Sequence, residues 1–260
     1  MNQRKPLKEL NLLDKFLFDE AMDDPENVKT MLDIILSQNT NLKHPPQTEK
    51  EQRTSTDNRQ IRLDVYAIDE DDVIYEVEAQ KENTHNLPKR SRLYQGIIDS
   101  KLLPPGVVDF NLLNEVLIVL IMPFDLFGYG LYRYTFQMKC EEVPELKLDD
   151  GATRIFLNTR GKHPELVSPE LIELLKYMER STDEVSRELK SKRIQEMHRR
   201  VCRIKASEKT EVKYMQSWEE KILIKQEGER IGLERINRLN QKLIEQGRFD
   251  DLTKATSDSN

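Results

Sequence analysis

The sequence predicts an α/β protein, with a mixed central sheet flanked by helices and followed by an α-helical C-terminal extension. Three observations carry this. Residues 61–80, IRLDVYAIDEDDVIYEVEAQ, hold two alternating runs around an acidic turn; residues 116–122, VLIVLIM, are continuously apolar; and helical stripes lie on both sides of these segments. Alternation with a period of two marks strands that turn one face to a core. An unbroken apolar run marks a strand covered on both faces in the middle of a sheet.

Taken in order, Leu7 to Met22 reads as a first helix with Leu10, Leu13, Phe16, Leu17 and Ala21 on its apolar face, ended by Asp23-Asp24-Pro25. Glu20 and Asp14 fall in or beside that face, so each is either an edge residue reaching solvent or an acid aimed at a site. Asn27 to Ser37 repeats the stripe with Val28, Met31, Leu32 and Ile35. Asn39 to Gln60 is polar and reads as a loop or an irregular first strand. The hairpin follows, and Leu87 to Leu102 reads as a helix opening at Pro88. After the apolar strand, Gly128-Tyr129-Gly130 turns the chain into an aromatic-rich strand, Leu131 to Met138, and Arg154 to Asn158 adds an edge strand. The aromatic residues Phe124, Phe127, Tyr132, Tyr134 and Phe136 sit among apolar neighbours and read as core. From Ser168-Pro169 the text turns helical: a stripe from Leu171 to Met178, a second helix over Thr182 to Lys205, and a charged third from Met215 to Arg248, interrupted at Gly228 and Gly232. This divides the chain into a core, 1–165, and a helical extension, 166–260. The last helix suits an arm, a partner helix or a homo-oligomer contact.

The hairpin carries an anomaly that packing alone does not explain. Asp64 stands among Leu63, Val65 and Tyr66, and Glu76, Glu78 and Gln80 share one parity of the second run. If Ile68 pairs with Val73, Asp64 and Glu78 point to opposite faces. A loop with an odd number of residues brings them face to face, and opposed like charges then require a cation. Hard oxygen ligands suit Mg²⁺ or Mn²⁺. On the following helix, Arg90 and Tyr94 lie one turn apart beside Lys89 and Arg92. They read either as a solvated basic face or as a clamp for phosphate oxygens.

Asp64 and, fourteen positions on, Glu78-Ala79-Gln80 resemble the Asp…(Asp/Glu)-x-Lys signature of the PD-(D/E)xK nuclease superfamily. The segments LLDKFLFDEAM, RLDVYAIDE, YEVEAQ, LPKRSRLYQGIIDSKLL, LIMPFDLFGYGLYRYTF, DGATRIFLNTRG and VKYMQSWEEK together are similar to the Rpn family of recombination-promoting nucleases, which are described as transposase-like. The resemblance covers roughly the whole chain. It implies a restriction-endonuclease-like core and a metal-dependent DNA endonuclease, with Asp64, Glu78 and the Ala79 carbonyl as metal ligands and Gln80 positioning water. It further implies Arg90, Arg92 and Tyr94 on DNA phosphates and an additional acid, Glu20, from the first helix. One departure stands out: Gln80 occupies the lysine's place and brings no positive charge. A nuclease fold that only binds nucleic acid or a partner is the alternative.

Composition sets the remaining bounds. The 260 residues are 34% charged and 37% hydrophobic, with a formal charge of −6 and a mean hydropathy of −0.71. Yet Arg187 to Lys205 holds eight basic residues, a local surface that can bind phosphate whatever the net charge. Cys140 and Cys202 belong to no CxxC, and the four histidines are spread widely, which fits a reducing cytoplasm with neither disulfides nor a zinc site. No apolar run approaches membrane-spanning length, and no P-loop or G-x-S-x-G appears.

Overall fold

The computed structural model describes residues 4–52 and 61–257. Its helices are α1 (Lys15–Met22), α2 (Pro25–Leu36), α3 (Leu87–Asp99), α4 (Pro169–Glu179), α5 (Asp183–Glu188), α6 (Lys192–Lys205), α7 (Glu208–Glu245) and α8 (Phe249–Ser257). Its strands are β1 (Gln47–Gln52), β2 (Ile61–Ile68), β3 (Ile74–Ala79), β4 (Val116–Met122), β5 (Arg133–Phe136) and β6 (Ala152–Asn158). They form one mixed sheet in the order β1-β2-β3-β4-β6-β5. β1–β2, β2–β3 and β5–β6 run antiparallel, and β3–β4 and β4–β6 run parallel.

The apolar run is the sheet's centre, as its sequence requires. β4 pairs with β3 on one side and β6 on the other, and Ile118, Val119, Leu120 and Ile121 are all buried. Leu120 joins a core with Ile98, Tyr94, Tyr134 and Phe156, against which Phe124 and Phe127 pack. Phe127, Tyr134, Phe136 and Phe156 pack in tilted and edge-to-face pairs with ring centroids 4.8–5.6 Å apart. Leu120→Ala is expected to lower stability by about 2–5 kcal/mol through lost burial and the cavity left behind, read as a lowered urea midpoint at constant slope.

Several sequence expectations shift. The first helix breaks: Leu7–Glu9 is a single 3₁₀ turn and α1 begins only at Lys15. Leu7, Leu10 and Leu13 are buried without belonging to α1, so the buried face of α1 rotates to Leu17, Phe18, Ala21 and Met22. The polar stretch before the hairpin contributes a true strand, β1, while its Thr54–Asn58 run lies outside the described residues. β6 is interior and β5 is the edge. The helix expected over Thr182 to Lys205 is two, because Ser191 starts afresh as the N-cap of α6, accepting from the Ile194 amide.

Lys5–Ser207 forms one compact unit, and Glu208–Asn260 with Met1–Arg4 forms a second. The boundary expected at 165/166 therefore does not coincide with this division. α4 and α6 both pack on α2, burying Leu171, Leu174, Leu175, Ile194, Met197 and Val201, and that apolar burial ties them to the first unit. In the second unit α7 runs unbroken through Gly228 and Gly232. A helical glycine costs about 1 kcal/mol, and ion pairs offset part of this: Arg230 bridges Glu227 at 2.6 Å and also reaches Glu234, and Lys225 faces Glu229. Gly247, at a φ of 69°, turns the chain into α8.

Candidate functional site

The hairpin register decides where the acids go. Ile68 pairs with Ile74 and Val65 with Val77, leaving the five residues Asp69 to Val73 as the turn. This is the odd-loop register, and one further step along the ladder sets Asp64 opposite Glu78. The turn is not wholly solvated as its acidic text suggests. Asp69 is buried because its carboxylate accepts from the Asp71 and Val73 amides and from the Tyr75 hydroxyl at 2.6 Å, which satisfies its acceptors and fixes the loop.

Asp64 and Glu78 line one cleft of about 670 Å³, together with Lys15, Ala79, Gln80, Lys81, Lys89, Arg90 and Tyr94. Both acids are almost inaccessible, at 5% and 7% exposure, and Glu76 beneath them is fully buried. Each depends on a cation from a neighbouring helix. α1 packs against β1 and β2, and the Lys15 ammonium donates to Asp64 at 2.5 Å and to Asp19, one helical turn on, at 3.1 Å. α3 supplies Arg90, whose guanidinium donates to Glu78 Oε1 at 2.6 Å and also holds Gln80 Oε1. The Gln80 side-chain amide in turn donates to the Glu82 carbonyl. Lys81 reaches Asp14 at 2.5 Å across the cleft mouth.

Burial dominates the electrostatics. It pushes the Glu78 carboxyl up to about 7, with Arg90 opposing and Asp64 reinforcing the rise. Burial likewise pushes Asp19 up to about 7 against the pull of Lys15. Glu76 is raised well above the usual carboxylate range by burial, then by Glu78 and Asp64. Burial draws the Lys15 ammonium down, but Asp64 and Asp19 outweigh it and leave Lys15 raised. At Asp14 burial raises the carboxyl, and Lys81 and the Asn11 amide overcome that and lower it.

The donors present fit a hard divalent cation. Glu78 Oε2 and both Glu76 oxygens are buried with no hydrogen-bond partner, a state that costs free energy unless a proton or a cation compensates it. Oxygen donors from one or two carboxylates in an open cleft are what Mg²⁺ or Mn²⁺ takes.

Of the residues singled out from sequence, Asp64, Glu78, Ala79, Gln80, Arg90 and Tyr94 meet at this cleft. Arg90 faces Glu78 and Gln80, with Tyr94 beneath its guanidinium at 5.9 Å. Arg92 is exposed and is not among the lining residues. Glu20 is half-buried and does not line the cleft; the rotation of α1 carries Asp19 to the Lys15–Asp64 pair instead. Lys15 and Asp19 were missed in the sequence, although their spacing of four places them on one helix face.

A family model described as PD-(D/E)XK nuclease family transposase matches residues 15–226. The chain belongs to that family. No curated protein and no solved structure matches it significantly. Membership in the PD-(D/E)XK nuclease family supports a nuclease-type function. Among the described residues no helix is long and apolar enough to cross a membrane.

Proposed function

We propose that this PD-(D/E)XK family chain is a divalent-metal-dependent DNA endonuclease of the cytoplasm, acting in recombination or transposition. The observation that carries the reading is the pairing of Asp64 and Glu78 on the floor of one cleft, with Glu78 Oε2 buried and unpartnered beneath a basic wall. Asp64, Glu78 and the Ala79 carbonyl are the candidate ligands for Mg²⁺ or Mn²⁺. When bound, such an ion polarises a phosphoryl oxygen and lowers the pKa of an attacking water.

The chain's own residues do the rest. Lys89 at the cleft wall and Arg92 on the outer surface of α3 meet the DNA backbone, where guanidinium and ammonium donors neutralise phosphate charge. Arg90 orients the Glu78 carboxylate and the Gln80 amide, and as part of the cleft lining it can also donate to a phosphate oxygen. Lys15 supplies the positive charge that Gln80 lacks, because its ammonium stands on Asp64 where charge develops on the phosphate. Lys15→Gln is accordingly expected to lower the cleavage rate by roughly 10²–10³-fold, the cost of removing one preorganised electrostatic donor, in single-turnover assays on supercoiled plasmid.

The alternative, a nuclease fold that binds without cutting, has one observation behind it: Gln80 is held by Arg90 and Glu82 rather than free to serve a water. Plasmid nicking with Mg²⁺, Mn²⁺ or excess chelator separates the two. Cutting that requires metal supports the endonuclease, whereas salt-sensitive DNA binding without cutting at any metal concentration supports the binding module.

A further inference from the structure

Away from the cleft, α5 and α6 bring together three side chains of different chemistry. Thr182 caps α5 through the Val185 amide and sets Asp183 in the first turn. His198 and Cys202 stand one turn apart on α6, a spacing of four that the wide separation of the histidines from one another does not reveal. Asp183 Oδ1 lies 2.8 Å from His198 Nε2. Cys202 Sγ lies 3.4 Å from the same Nε2 and 3.7 Å from the same Oδ1. Behind them the buried Tyr177 hydroxyl meets His198 Nδ1 at 2.9 Å. The three residues line a cavity of about 450 Å³ that Lys8, Thr182 and Lys205 also border.

We propose that Asp183, His198 and Cys202 form a second metal site, one that takes a zinc-class divalent cation and leaves a fourth position open to the cavity. Tetrahedral zinc with ordinary bond lengths to nitrogen, oxygen and sulfur separates its donors by about 3.3–3.6 Å. The three observed separations bracket that range, and the exposed Asp183 side chain can move the half ångström required. An Asp183–His198 ion pair alone accounts for the 2.8 Å contact. The Cys202 sulfur joins them, 3.4 Å from Nε2, 3.9 Å from Nδ1 and 3.7 Å from the same Asp183 Oδ1, so that one carboxylate, one imidazole and one thiol meet at a single point. Tyr177 does for His198 what outer partners do for metal-ligating imidazoles: it holds Nδ1 and presents Nε2. Thiolate and imidazole favour zinc over magnesium, so the donors of this site and the oxygen donors around Glu78 select different metals. A bound ion would pin the short helix α5 to α6. The inference does not depend on the nuclease reading.

Cobalt titration of the intact chain tests it, because a thiolate ligand gives Co²⁺ a charge-transfer band that carboxylates cannot. We expect one such band, displaced by stoichiometric Zn²⁺, lost in Cys202→Ser, and retained in Asp64→Asn. Tyr177→Phe should keep the band while weakening affinity by roughly 10–100-fold, the usual cost of losing an outer partner. Asp183→Asn changes an exposed position and so tests the site without disturbing the core; at least about a tenfold loss of affinity is expected. Absence of the band in the intact chain, its survival in Cys202→Ser, or unchanged affinity in Asp183→Asn would each overturn the proposal.

Discussion

Asp64→Asn and Glu78→Gln are each expected to reduce plasmid cleavage by roughly a thousandfold. On the proposed reading a metal held by these carboxylates would contribute several kcal/mol to the transition state, and each 1.36 kcal/mol is a factor of ten in rate. The two substitutions differ in their side effects. Asn at position 64 leaves the Lys15 ammonium with Asp19 as its remaining charged partner, and Gln at position 78 leaves Arg90 over a neutral amide. Circular dichroism should nonetheless show folded protein in both, and low-salt DNA binding should persist because the basic residues of α3 are untouched. Glu20→Gln is the internal control on the same helix. It should stay within a few-fold of the unmodified rate, whereas Asp19→Asn should not. Equal cleavage by both hairpin variants and the intact chain would place the chemistry elsewhere.

In the absence of metal, stability should fall as pH rises from about 5 to about 8, the reverse of ordinary acid denaturation. Asp19 and Glu78 have ordinary values of 3.8 and 4.5 and are raised to about 7 in the folded chain. Between those limits the native state therefore holds protons that the unfolded state has released. The stabilising contribution is complete below the unfolded values and is lost as pH climbs through the folded ones. The slope approaches about 1.4 kcal/mol per pH unit for each group in that window. Glu76, whose carboxyl is also raised by burial and by the neighbouring Glu78 and Asp64, acts in the same direction. Saturating Mn²⁺ should flatten the profile, since a cation favours the ionised carboxylates. Melting curves across this range, with chelator and with Mn²⁺, make the comparison. A melting temperature that is flat or rising with pH in chelator rules out the protonated cluster.

Much of this architecture is legible in the sequence because the signals are local. Seven apolar residues from Val116 to Met122, rich in β-branched side chains and stopped by Pro123, have the length and composition of a doubly covered strand, and they form the sheet's centre. The acids inside the hairpin are equally plain, and the register alone stays open, because loop parity depends on how Asp69 folds back on its own turn. The site's cations are harder to read. Lys15 looks like any solvated lysine until the helix boundary is known, and that boundary depends on a backbone break between Leu10 and Lys15 that no proline or glycine marks. Moving the helix start turns its buried face by nearly a residue, which is the difference between Glu20 and Asp19. The split of α5 from α6 is hidden for a related reason. Ser191 is an ordinary helix surface residue by composition and becomes a cap only through geometry.

The parallel pairing of β3 with β4 also ties charge neutralisation to chain closure. β2 and β3 are joined by a short turn and can meet early, but Ile74 pairs with Val116 about 40 residues on. Closing a loop of that size carries an entropy cost that adjacent strands do not meet. The connecting segment is α3, and it is α3 that lays Arg90 over Glu78. The event that seals Glu76 and Glu78 beneath a neighbouring strand thus also delivers the guanidinium that makes their burial tolerable. A folding chain need not expose the complete acid cluster to a dry interior before its counter-charge has arrived.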